Sequence, residues 1–126
     1  WGENNRRLSV RLPLSDSKNR RFEHRVSGAD ACPHLVVAAI LAGALYGLQN
    51  ASDPGPKLGE FDAIDYTATL PPRWLMALEK LAGGNILQQY LGTAFIDLYL
   101  RVRKFEEESF HQNIGQADYE RYLRIL

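Results

Sequence analysis

Arg7-Leu8-Ser9-Val10-Arg11-Leu12-Pro13-Leu14 and, after a polar interval, Arg21-Phe22-Glu23-His24-Arg25-Val26 decide how the first part of the chain folds. Both stretches alternate polar and apolar residues, the period of a strand with one face turned inward. Leu8, Val10, Leu12 and Leu14 share one side of the first, with Arg7, Ser9 and Arg11 on the other. Pro13 has no N–H for a ladder and marks a strand end or a sheet edge. Ser15-Asp16-Ser17-Lys18-Asn19 is turn chemistry, so the two strands are expected to pair antiparallel. In the second strand, Phe22, His24 and Val26 oppose Arg21, Glu23 and Arg25.

After these strands the period changes. Ser27-Gly28-Ala29-Asp30 interrupts the alternation, and Pro33 is well placed in a first helical turn. A helix is expected over 33–50, apolar on nearly all sides, and such a helix reads as buried. Substituting Leu41 by Asp should then unfold the protein. Residues 51–70, with Asp53-Pro54-Gly55-Pro56 and no sustained period, read as a long loop. Residues 71–126 read as helical. Thr69 is the expected cap of a helix opened by Pro71-Pro72, which Gly83-Gly84 ends. A short helix over about 85–91 and a long one after Gly92 come next. The long helix carries an apolar stripe of Phe95, Leu98, Tyr99, Val102, Phe105 and Phe110. Arg103–Glu107 and Lys104–Glu108 fall at i,i+4 spacing on its other face. The last helix is expected over about 116–124. The fold class is therefore α+β, mainly α: a short antiparallel β element at the N-terminus, then four to five helices.

Composition narrows the function classes. The 126 residues are 45% hydrophobic and 24% charged, ordinary for a globular chain, with no sign of disorder or of collagen. The chain reads as one fragment over 1–126, and a start at Trp1 rather than Met suggests a piece of something longer. Lys plus Arg equals Asp plus Glu at 15 each, so the overall basic excess of a nucleic-acid binder is lacking. One cysteine excludes a disulfide framework or a multi-cysteine zinc site, and a reduced, cytoplasmic setting fits. The apolar run Leu35–Leu48 is too short to span a bilayer. Charge is unevenly placed: residues 1–25 hold seven basic side chains against three acidic ones. That head is either a solvated face or an anion site.

The densest chemistry lies in Arg21-Phe22-Glu23-His24-Arg25. In a strand, Arg21, Glu23 and Arg25 stand on one face, about 6.6–6.8 Å apart in turn. A guanidinium offers a planar fork of donors to phosphate or carboxylate. A carboxylate is a hard ligand for Mg²⁺, which commonly shares its shell with substrate phosphates. The triplet can thus hold a metal-nucleotide beside an acidic substrate, or it can be a surface ion ladder of little energetic consequence. By parity, His24 faces away from Glu23 and packs or makes a hydrogen bond. His34 and His111 are isolated. Cys32 has no visible base partner and reads as a small buried residue.

The run Asn5-Arg6-Arg7-Leu8-Ser9-Val10-Arg11-Leu12-Pro13, then Arg21-Phe22-Glu23-His24-Arg25, then Ala31-Cys32-Pro33-His34-Leu35, resembles the C-terminal part of the glutamine synthetase catalytic domain. That family runs Asn-Arg, a strand ending Arg-hydrophobic-Pro, Arg-hydrophobic-Glu-x-Arg, Ala-x-Asn-Pro-Tyr-Leu and an Ala-rich helix. The first 50 residues agree in order and spacing. The tail agrees more loosely, through Leu91-Gly92, Phe95, Tyr99, Arg103, Glu106, Phe110, Asp118-Tyr119-Glu120 and Tyr122.

The resemblance implies the C-terminal segment of an ATP-dependent glutamate–amine ligase that works through γ-glutamyl phosphate. It implies Glu23 as ligand of Mg²⁺ (or Mn²⁺), Arg6, Arg11 and Arg21 around the ATP phosphates, and Arg25 on the glutamate carboxylate. It also implies ammonia or an amine as co-substrate, and a homo-oligomer of stacked rings. The phrase His24-Arg25-Val26-Ser27-Gly28-Ala29-Asp30 is closer to the branch that makes γ-glutamyl amides of putrescine and polyamines. Cys32-Pro33-His34 departs from Asn-Pro-Tyr, which touches local packing rather than catalysis. The family's other metal ligands and its acidic flap have no counterpart here, so the chain alone is expected to be inactive. Two other readings stand beside this one: a non-catalytic interaction domain whose arginine head docks an acidic partner, and a pseudoenzyme that kept the fold.

Overall fold

The computed structural model describes residues 1–59, 61–63 and 70–123. They group into two compact units, Trp1–Ala68 and Thr69–Leu126. The first joins the strands to one helix; the second is helical throughout.

In the first unit, β1 (Gly2–Glu3), β2 (Val10–Leu12) and β3 (Glu23–His24) form a sheet in the order β1-β2-β3. β2 and β3 run antiparallel, with Arg11 opposite Glu23 and Val10 opposite His24. The Arg25 N–H donates to the Ser9 carbonyl at 2.8 Å, carrying the pairing one step past β3. The strands are shorter than the alternating stretches that announced them. Pro13 ends β2's capacity to donate, and Leu14 beyond it is exposed.

β1 has no alternating pattern, yet it pairs parallel to β2, Gly2 beside Arg11 and Glu3 beside Leu12. Its position is secured by residues 55–58, far along the chain. Trp1 Nε1–H donates to the Gly55 carbonyl at 3.0 Å, the Leu58 N–H donates to the Trp1 carbonyl at 3.0 Å, and Lys57 pairs with Glu3 at 2.8 Å. The approach is so close that a Cβ on Gly2 would stand 2.0 Å from the Leu58 carbonyl oxygen, so glycine is required there.

α1 (Pro33–Gln49) has the expected extent, with Pro33 in the first turn. It is not the buried helix foreseen over 33–50. Ala42 is its one buried residue, while Val37, Leu45 and Leu48 are exposed and Leu41 is 62% exposed. Apolar composition states what a helix can bury, and burial requires neighbours that this unit does not bring to that face. An aspartate at Leu41 would keep its hydration, so the unfolding expected of Leu41→Asp does not follow for this chain. Cys32, expected buried, is exposed.

The second unit contains α2 (Trp74–Gly83), α3 (Ile86–Leu91), α4 (Thr93–Gln112) and α5 (Gln116–Tyr122). The Thr69 cap lies outside the described residues. Pro71 and Pro72 precede α2 rather than opening it, and Arg73 is the N-cap. A residue before proline is steered away from helical backbone, which delays the start. Gly92, at φ +85°, makes the break between α3 and α4 that a side-chain-bearing residue would resist. The core is Leu78, Ile96 and Leu100, with Leu81, Leu87 and Leu91 packed against it. Trp74 meets Phe110 at 6.3 Å between ring centroids, tying α2 to the far end of α4. Arg103 turns to Glu106 at 2.6 Å instead of the expected Glu107, which pairs with His111 at 3.2 Å. Among the described residues, no helix is long and apolar enough to cross a membrane.

Candidate functional site

The β2–β3 register builds the site. Because Arg11 stands directly across from Glu23, and same-side residues recur every second position, Arg11, Arg21, Glu23 and Arg25 share one face of the sheet. Arg11 Nη1 donates to Glu23 Oε2 at 2.9 Å. Arg25 Nη1 lies 3.7 Å from the same oxygen, and Arg21 Nη2 lies 3.7 Å from Oε1. One carboxylate is therefore enclosed by three guanidiniums. Parity puts two of them beside it on its own strand, and Arg11, expected to reach this region from the preceding strand, stands directly across the ladder. His24 stands on the opposite face, across from Val10, and is exposed.

Arg11 is the least exposed of the three, its side chain 13% exposed against 36% for Arg25 and 56% for Arg21. Its Nη2 donates to Asn4 Oδ1 at 2.5 Å, and its Nε is enclosed without a hydrogen-bond partner. Arg21 and Arg25 keep part of their donor forks toward solvent, where an anion can reach them.

Beside this cluster is an open cleft of about 570 Å³ lined by Asn4, Asn5, Arg6, Arg7, Arg11 and Phe61. Asn5 shapes its floor. It is buried, donates through Nδ2 to the Gly59 carbonyl at 2.7 Å, and accepts the Arg7 N–H on Oδ1 at 2.9 Å. Both of its side-chain ends are thus used in holding the chain that carries Arg6 and Arg7. Three cationic side chains on one concave surface suit a polyanion such as a triphosphate. Arg6, Arg11 and Glu23 are thereby brought into one region, with Arg21 and Arg25 next to Glu23. Asn4 and Phe61 were not anticipated. Asn4 is marked in sequence only as a turn-prone residue ahead of Arg6, and nothing local to Phe61 distinguishes it.

The hydrogen bond from Arg11 holds the Glu23 carboxyl below the usual glutamate range. Partial desolvation opposes this, and the charges of Arg11, Arg21 and Arg25 add to the lowering. A depressed folded-state value means that Glu23 contributes stability above its unfolded value, which is lost as the pH falls through the folded one. A carbon-detected carboxylate titration is expected to show Glu23 remaining ionised below the pH at which the protein's solvated glutamates protonate. A Glu23 that titrates together with them would mean that the Arg11 contact does not persist in solution.

Among the described residues, no group of three or more His, Cys, Asp and Glu side chains is placed to hold a metal ion. Glu23 is the one carboxylate of this cluster, with Oε2 taken by Arg11 at 2.9 Å and both oxygens flanked by further guanidiniums at 3.7 Å, so a cation there would have to share it with these arginines.

The family model described as glutamine synthetase, catalytic domain, matches residues 1–122. The chain is 37% identical over 125 residues to gamma-glutamylputrescine synthetase PuuA of Escherichia coli, covering 98% of this chain and 26% of that protein. It is 30% identical over 131 residues to type-1 glutamine synthetase 2 of Dictyostelium discoideum, covering 100% of the chain and 25% of that protein. It is also 30% identical over 131 residues to a glutamate–isopropylamine ligase of a Pseudomonas species, covering 100% of the chain and 28% of that protein. The chain thus spans about a quarter of the length of these curated relatives.

Proposed function

The chain belongs to the glutamine synthetase family, through its catalytic domain, and from that premise we propose that it forms the arginine-rich part of the active site of an ATP-dependent glutamate–amine ligase. The observation that carries the proposal is the carboxylate of Glu23 held on one sheet face by Arg11, Arg21 and Arg25, beside a cleft lined by Arg6, Arg7 and Arg11.

In this reading Arg6, Arg11 and Arg21 receive the phosphates of ATP, and Arg25 holds a carboxylate of glutamate. A divalent cation, Mg²⁺ or Mn²⁺, ligated in part by Glu23, would offset phosphate charge. The γ-carboxylate oxygen of glutamate attacks the γ-phosphorus and ADP departs, leaving γ-glutamyl phosphate. The amine nitrogen then attacks the γ-carbonyl, loses a proton, and phosphate leaves. Arginines suit this sequence because phosphoryl transfer is accelerated chiefly by positioning and by compensating charge on the transferring group. The full-length protein, a cytoplasmic homo-oligomer of stacked rings in this proposal, would supply the other metal ligands, and the chain alone would be inactive.

The acceptor we assign is a primary amine larger than ammonia. Its support is the phrase His24–Asp30 and the names of two of the relatives, a glutamylputrescine synthetase and a glutamate–isopropylamine ligase. The test is glutamate-dependent ADP formation by the full-length protein, with ammonia and with a panel of mono- and diamines. Faster turnover with putrescine or another amine than with ammonia is expected. Ammonia as the best acceptor would overturn the acceptor assignment and leave the ligase reading in place. No ADP formation with any acceptor would favour the pseudoenzyme or the docking domain.

A further inference from the structure

We propose that Asn4 is a positioning residue that sets the orientation of Glu23 by holding Arg11. The proposal rests on the ligase reading of this site and adds a residue to it. Asn4 follows directly on β1, where its N–H donates to the Leu12 carbonyl at 2.9 Å. The parallel register of β1 on β2 thus carries it alongside Arg11. Asn4 adopts φ +50°, a left-handed backbone that asparagine accepts more readily than most residues. In this conformation its Oδ1 accepts from Arg11 Nη2 at 2.5 Å, while Arg11 Nη1 donates to Glu23 at 2.9 Å.

The guanidinium therefore spans two acceptors, one just past the end of β1 and one on β3. Its Nε is enclosed and makes no other bond, so these two contacts fix its plane. Arg21 and Arg25 are each 3.7 Å from the carboxylate, too long for a direct hydrogen bond. Arg11 is thus the group that fixes where the Glu23 oxygens lie, and Asn4 is the second anchor of Arg11. Loss of that anchor lets the guanidinium swing and the carboxylate follow. Outer-shell partners of ligating carboxylates commonly act in this way.

Asn4→Gly removes the acceptor and keeps the left-handed backbone without strain. Asn4→Asp keeps an acceptor at the same place and also tolerates that backbone. In the full-length protein, Asn4→Gly is expected to lower kcat by about 10- to 100-fold while changing the KM for glutamate less than twofold. Asn4→Asp is expected to restore most of kcat at saturating ATP, the added charge at the cleft being read separately as a raised KM for ATP. A second readout needs neither nucleotide nor metal: nitrogen-detected exchange of the Arg11 guanidinium protons. Slow exchange is expected in the parent and in Asn4→Asp, and fast exchange in Asn4→Gly. Wild-type kcat with slow exchange in Asn4→Gly, or equal impairment of both variants, would overturn the positioning role. The failure of the ligase reading would look different: the parent itself would form no ADP, while the exchange measurement would still report on the anchor.

Discussion

Full-length protein carrying Glu23→Ala is expected to lose at least about 100-fold in ligase turnover, the scale on which enzymes lose rate when one preorganised electrostatic group at a reacting centre is removed. The substitution takes away the one acidic side chain that three arginines enclose. It also leaves the enclosed Arg11 guanidinium without its carboxylate, so some loss of stability accompanies the loss of rate. Glu23→Gln separates the two effects. A glutamine keeps an oxygen for Arg11 Nη1 and most of the packing, but it lacks the charge that would share in holding a metal-nucleotide. Glu23→Gln, which loses the charge but keeps an acceptor, is therefore expected to melt between the parent and Glu23→Ala and to be nearly as inactive as Glu23→Ala. Glutamate-dependent ADP formation and thermal melting of the three proteins decide the matter. Full activity in Glu23→Ala would remove the metal role and, with it, most of the reason to call this strand catalytic.

The largest stability effect is expected from Ile96→Asp, which should abolish cooperative melting of the helical unit. Ile96 is 2% exposed and lies between Leu78 of α2 and Leu100 of its own helix. An aspartate there finds no cation among the core residues Leu78, Leu81, Leu87, Leu91 and Leu100. The cost of an unpaired buried charge is several kcal/mol, comparable with the whole stability of a small domain, about 5–15 kcal/mol. Ile96→Ala leaves a cavity instead and is expected to cost about 2–5 kcal/mol, measurable by denaturant titration. A folded, cooperatively melting Ile96→Asp protein would show that the core lies elsewhere. The contrast with Leu41 is instructive. Leu41 belongs to the more apolar helix, yet it is 62% exposed, and a charge placed there stays in water.

The sequence alone determined the kind and order of the elements from β2 onward. Period-two alternation around Arg11 and Glu23 indicated strands, Pro33 and the Ala-rich run that follows indicated α1, and Gly83-Gly84 and Gly92 separated the later helices. These are local properties, set by side-chain period and backbone preference, so a single chain displays them. Parity within one strand also placed Arg21, Glu23 and Arg25 on a common face. Register could not be read in this way, because it depends on which residue of one strand meets which residue of another. Only the tertiary structure put Arg11 opposite Glu23, brought the pattern-free β1 alongside β2, and carried Asn4 to the second end of the Arg11 guanidinium. Burial was decided there too. An apolar helix states what could be covered, whereas covering Ile96 and leaving Leu41 in water depends on which neighbours the fold delivers to each face.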